Sequence, residues 1–273
     1  MKGRRERLDE KYLFTLDKAE MREKVRALTG FEKERNEIKM LANIIFGNGA
    51  KNIEEYMKFL NLNGNVLLFG KPGTGKTSIC YDCMLDNMSA SHYQLNMSAL
   101  ISEKLGKTAQ KIDEIFREIL NETKKYPVYL LIEEIEAFLP NRRESKDLED
   151  MKRALTVFMH YLDKTNPNLV VICTTNYIEN LDSAIIRRFS YKVETNNCST
   201  EDIEKFLSNE ENPFHDFFGD KLMNKRIAEE AYKRKMTFSD LKNMMKILFL
   251  EGGIKGTNNV NGNNLYKIIV EER

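Results

Sequence analysis

Residues 65–77 read Asn65-Val-Leu-Leu-Phe-Gly70-Lys-Pro-Gly-Thr-Gly75-Lys-Thr77, an apolar run that gives way to glycines and then to Lys76-Thr77. Such a run is suited to gripping a polyphosphate. Glycines let the backbone turn tightly enough for successive N–H groups to point at phosphate oxygens, and a helix starting there adds the positive end of its dipole. Lys76 can reach the outer phosphates, and the Thr77 hydroxyl is an oxygen ligand for Mg2+. A second chemistry-bearing pair, Glu133-Glu134, ends the apolar run Val128-Tyr-Leu-Leu-Ile132. One of these acids can hold the metal, directly or through water, and the other can orient a water that attacks the terminal phosphate. Asn176 follows a third apolar run, Leu169-Val-Val-Ile-Cys173. It either donates a hydrogen bond to that water or phosphate, or simply forms a turn. Arg187-Arg188 is either surface charge or a pair of cations that spreads the negative charge of a transition state.

These residues need elements that bring them to one place. The three apolar runs, with His92 to Met97 and Tyr191 to Glu194, alternate with helical patterns such as Ala99 to Lys125 and Leu148 to Leu162. That alternation predicts an α/β fold with a five-stranded parallel sheet, whose carboxyl edge gathers the loop and both acids. Upstream, Leu8 to Leu28 and Glu32 to Phe46 read as charged helices separated by Thr29-Gly30. Downstream of Cys198 the pattern is helical: Thr200 to Ser208, Asp220 to Arg234 and Ser239 to Glu251, stopped by Gly252-Gly253. The expected organisation is a helical segment 1–28, a large phosphate-binding domain 29–197, a small all-helical lid 198–251, and a loop with an apolar tail 252–273.

Composition narrows the function classes. Charged residues make up 31% and nearly cancel, leaving a net charge of +1, so bulk charge draws the chain neither to nucleic acid nor to an anionic membrane. No apolar run approaches the roughly 18 residues of a membrane span, and the start has no signal-peptide pattern; the expected location is the cytoplasm. Cys80-x-x-Cys83 falls in the helix after the phosphate loop with no second ligand pair at metal spacing, so it is read as core. No His-Glu-x-x-His stretch is present, which excludes an attached metalloprotease of that type.

Four segments together resemble the AAA branch of the AAA+ ATPases in order and spacing: Gly70 to Thr77, Leu130-Leu-Ile-Glu-Glu-Ile-Glu-Ala-Phe138, Ile172-Cys-Thr-Thr-Asn176 and Leu181-Asp-Ser-Ala-Ile-Ile-Arg-Arg-Phe189. The resemblance implies ATP and Mg2+ as cofactors. The nucleotide would be held by Gly70, Pro72, Gly73, Thr74, Gly75, Lys76, Thr77 and Ser78, with Gly30 and Phe31 against the adenine. It implies Thr77 and Glu133 at the metal, where Glu133 replaces the usual aspartate. Glu134 becomes the catalytic glutamate, Asn176 the sensor, and Arg187 and Arg188 the fingers reaching a neighbouring subunit, with Arg153 also facing that interface. A homo-oligomeric ring, commonly a hexamer, is implied, acting on a protein substrate directly or through an adaptor. Similar members include bacterial ATPases acting on HORMA-domain partners and ESCRT-disassembling and microtubule-severing enzymes. Lys104 stands where the family's pore loop usually has an aromatic residue, and no sensor-2 arginine is evident. Nucleic-acid loading, suggested by Lys104 and the basic start, and a slow ATP-dependent switch, suggested by Glu133, are the competing readings.

Overall fold

Strands made from Val66–Phe69, Val128–Ile132 and Leu169–Cys173 are apolar on both parities and must be covered on both faces. A computed structural model describes residues 11–47, 53–101, 107–138, 145–164, 166–196, 198–255 and 260–271, and in it these runs form the centre of a six-stranded sheet. The described chain begins with β1 (Leu13–Thr15) and α1 (Lys18–Val25), then α2 (Glu32–Ile45) and α3 (Ile53–Phe59). Strand β2 (Asn65–Phe69) leads through the glycine loop into α4 (Lys76–Leu85). Next come β3 (Ser91–Leu95), α5 (Met97–Ile101), α6 (Thr108–Glu122) and β4 (Val128–Ile132). After α7 (Ser145–Leu162) lie β5 (Leu169–Thr175), α8 (Ser183–Ile186) and β6 (Tyr191–Glu194). The described residues beyond β6 form helices: α9 (Thr200–Ser208), α10 (Lys221–Lys233), α11 (Phe238–Lys255) and α12 (Gly262–Glu271), with a 3-10 turn before α10.

The strand order is β1-β3-β4-β5-β2-β6. All neighbours are parallel except β1 against β3, where Leu13 faces Leu95. The α/β class is as expected, but the sheet has a sixth, antiparallel strand drawn from a segment that reads as helical. Three residues are too few to show a period of two. This strand is held by the open edge of β3 and by burial of Tyr12 and Leu13.

Side-chain parity sorts the strands between two cores. Val66, Leu68, Tyr129, Leu131, Val170 and Ile172 face α2 and α4, in a core continuous with the helices beyond β6. Leu67, Leu130, Ile132, Val171 and Cys173 face the other side, with Ile112, Ile115, Phe116 and Ile119 of α6 and Phe158 of α7. The α6 residues recur at helical spacing, so one stripe of that helix covers the sheet.

Two further elements differ from expectation. The Gly252-Gly253 pair does not end α11, which runs on to Lys255, and the apolar tail is the helix α12. Leu265 and Ile269 of α12 are fully buried and α12 packs on α10, so tertiary burial outweighs the low helix propensity of Asn263-Asn264. Among the described residues, no helix is long and apolar enough to cross a membrane.

Candidate functional site

The glycine loop leaves β2 at the carboxyl edge of the sheet. Gly70 N–H donates to Thr175 O at 3.3 Å and Lys71 N–H to Asn196 Oδ1 at 2.7 Å, which fixes the exit from the strand. Thr74 is 1% exposed; its Oγ1 donates to Lys71 O (2.9 Å) and shares a hydrogen bond with Thr195 Oγ1 (2.8 Å). Thr74 thus braces the loop from inside. Gly73 sits at φ 79° with its carbonyl accepting from Ser239 N–H (3.3 Å); a Cβ there would lie 2.4 Å from Ser239 Cβ. Gly75, at φ 92°, turns the chain into α4.

Lys76 is buried, and its Nζ donates to Gly70 O (2.7 Å) and Lys71 O (2.9 Å). Burial pushes its ammonium below the ordinary lysine value, opposed by the negative field of Glu136, Glu134 and Glu133. Thr77 Oγ1 donates a short hydrogen bond to Glu133 Oε1, and Gln94 Nε2 donates to Glu133 Oε2 at 2.6 Å. A hydroxyl and a carboxylate converging in this way are hard oxygen donors that fit Mg2+. Mg2+ ordinarily keeps water and takes phosphate oxygens alongside one or two protein ligands. Thr77 and Glu133 would hold it.

The ends of β4 and β5 are tied crosswise. Glu134 N–H donates to Thr174 Oγ1 (3.2 Å), and Asn176 N–H donates to Glu136 Oε1 (2.9 Å). Glu134 itself is exposed and left-handed (φ 54°), a conformation that costs a non-glycine residue about 1 kcal/mol or more. Glu134, Lys76 and Thr77 all line one cavity of about 680 Å³.

That cavity is walled by Pro72, Gly73, Gly75, Lys76, Thr77, Ser78, Glu133, Glu134, Thr174 and Asn176. Of the other expected residues, Gly70 and Thr74 lie behind the loop. Gly30 and Phe31 are also off the wall, where Leu28 and Thr29 stand instead. Phe31 is 7% exposed and belongs to the core, and Gly30 backs onto Asp202. Arg187 and Arg188 do not line this cavity. Arg187 is exposed; Arg188 is engaged within the chain, through Nε with Asp163 Oδ1 (3.0 Å) and through a second nitrogen donating to Ala184 O (2.5 Å). Arg153 is exposed beside Glu149. Lys104 lies outside the described residues.

Sequence reasoning missed the rest of the wall. Glu23, Lys24 and Arg26 come from α1 and its end, Glu211 from the loop after α9, and Phe206, Phe238, Ser239 and Lys242 from α9 and α11. Arg26 and Glu211 form an ion pair across the mouth. These residues carry no local motif; only the packing of distant helices brings them here. Gln94 left no signal either: β3 reads Ser-His-Tyr-Gln-Leu, where an amide does not stand out, and its contact with Glu133 exists only across two strands.

Comparison with known proteins finds a family over the same stretch of chain. The sequence model of the family described as "ATPase family associated with various cellular activities (AAA)" matches residues 66–197. Fidgetin-like protein 1 of Caenorhabditis elegans is 34% identical over 132 residues, 47% of this chain and 21% of that protein. CD-NTase-associated protein 6 of Pseudomonas aeruginosa is 28% identical over 142 residues, 47% of each. The chain thus spans less than half the length of these curated relatives. A chain of the Escherichia coli MS115-1 HORMA:CdnC:Trip13 complex shares the fold with a TM-score of 0.75 at 16% identity, over 97% of this chain and 96% of that one. The segment that supplies the loop, both acids and Asn176 is therefore the segment the family match covers, and residues 66–197 carry an AAA ATPase domain.

Proposed function

We propose that the chain hydrolyses ATP in the 680 Å³ cavity and uses the cycle to remodel or disassemble a protein partner, working as a ring of identical subunits. The observation that carries this reading is the convergence of Lys76, Thr77, Glu133, Glu134 and Asn176 on one cavity wall. In this reading, loop N–H groups and Lys76 bind the β- and γ-phosphates. Thr77 and Glu133 hold Mg2+, which when bound neutralises developing charge on the phosphates. Glu134 orients the attacking water and accepts its proton, while Asn176 donates to the water or the γ-phosphate.

Arg26 lines the cavity but is paired with Glu211, so in this reading a neighbouring copy supplies a further cation for the transition state. Exposed Arg187 is the better candidate, because Arg188 is already held by Asp163 and Ala184. Fold kinship with a member of a HORMA-containing complex supports a folded protein as partner, reached directly or through an adaptor.

Glu134→Gln tests the assignment. It should bind ATP with wild-type affinity while turnover falls by roughly 10²–10⁴, measured by phosphate release; unchanged turnover would remove Glu134 from the reaction. ATPase stimulation by single-stranded DNA that fades with added salt would replace the protein partner with a nucleic acid.

A further inference from the structure

Strand β3 places His92 and Gln94 on the α4 side of the sheet, beside Tyr129 and Leu131 of β4, while Tyr93 and Leu95 point to the other core. His92 has a structural role there: its Nε2 bonds to Met84 O at 2.8 Å and its ring stacks on Tyr129. Gln94 pairs in register with Leu131, two residues before Glu133. An apolar side chain would satisfy that position, because Leu131 beside it is fully buried. Instead an amide stands there, and its N–H reaches Glu133 Oε2 at 2.6 Å, a charge-assisted contact.

Glutamate is one methylene longer than aspartate and has one more torsion, so its carboxylate has more positions open to it. Thr77 engages Oε1, but Thr77 is itself the residue whose oxygen would turn to the cation. Gln94, anchored on β3 between β1 and β4, is then the donor that keeps the carboxylate in place. We propose that Gln94 is a positioning residue that holds Glu133 towards Mg2+, offsetting the extra methylene. This inference rests on the ATP and Mg2+ reading of the cavity.

The test is a Mg2+ titration of the binding of a fluorescent ADP analogue, with Mn2+ as a second probe read by electron paramagnetic resonance. Four proteins are compared: wild type, Gln94→Met, Glu133→Asp, and the double variant. Gln94→Met should raise the metal concentration for half-maximal effect by about tenfold or more, and leave metal-free nucleotide affinity within about twofold. In the Glu133→Asp background the same change should have an effect under about twofold, since the shorter acid no longer reaches Gln94. An unshifted titration in Gln94→Met, or equal shifts in both backgrounds, would overturn the proposal. Gln94→Leu repeats the comparison if Gln94→Met does not fold. A wild type that binds nucleotide with no response to metal would overturn both this inference and the reading beneath it. A metal-responsive wild type with an unshifted variant overturns the inference alone.

Discussion

His92 shows how one side chain can tie stability to pH. It is 2% exposed, and burial lowers its pKa from the ordinary 6.5, against the pull of its hydrogen bond to Met84. Between that lowered value and 6.5 the unfolded chain binds more protons than the folded one, so stability rises with pH and is lost as pH falls below about 6.5. His92→Phe keeps a ring on Tyr129 and should flatten the slope of unfolding free energy between pH 6.5 and 5, measured by urea denaturation at several pH values. An equal slope in the variant would assign the acid sensitivity elsewhere. At this scale much of the site was legible. Gly73, Lys76, Thr77, Glu133, Glu134 and Asn176 line the cavity, as types and spacing implied, because each follows directly on an apolar strand. Phe31 was misplaced because the Thr29-Gly30 break shows where the chain turns, not which side of the turn meets the cavity. Gln94 was missed because its role exists only across two strands, in the register of β3 with β4.

Elements were legible where the period was long and hidden where it was short. The central strands and α6 declared themselves by apolar runs and by stripes at helical spacing. Strand β1 is too short to do so, and α12 begins in a Gly/Asn-rich sequence of poor helix propensity. Its helical form comes from the face it buries: Leu265 and Ile269 have no exposed surface, whereas Lys267 between them is largely exposed. Leu265→Ala should therefore lower stability by about 3 kcal/mol, against less than about 0.5 kcal/mol for Lys267→Ala, read from denaturant midpoints. Equal small effects would mean that α12 is not part of the cooperative fold. The cross-ties between β4 and β5 belong to this scale as well. Through them Glu134 and Asn176 are set by each other's strand, so neither can shift far alone.

At the scale of the whole molecule, the reading depends on more than one copy of the chain. If Arg187 completes a neighbour's cavity, Arg187→Ala should lose ATPase activity by on the order of 10³ with its melting temperature unchanged. Mixing it with Lys76→Ala protein should restore part of the activity, because some interfaces then pair an intact cavity with an intact arginine. Mixed rings with no recovery would place the decisive cation elsewhere. Arg188→Ala should instead lower the melting temperature, as it strips contacts from Asp163 and Ala184. Sequence alone could not separate these two arginines, since adjacency in the chain says nothing about which one the fold has engaged. The contact of Gly73 with Ser239 constrains what the loop can be made of. The loop and the start of α11 touch where even a methyl group would not fit, so the two are in close contact at this point. Gly73 works as a clearance: any side chain at that position could be admitted only by parting the loop from α11.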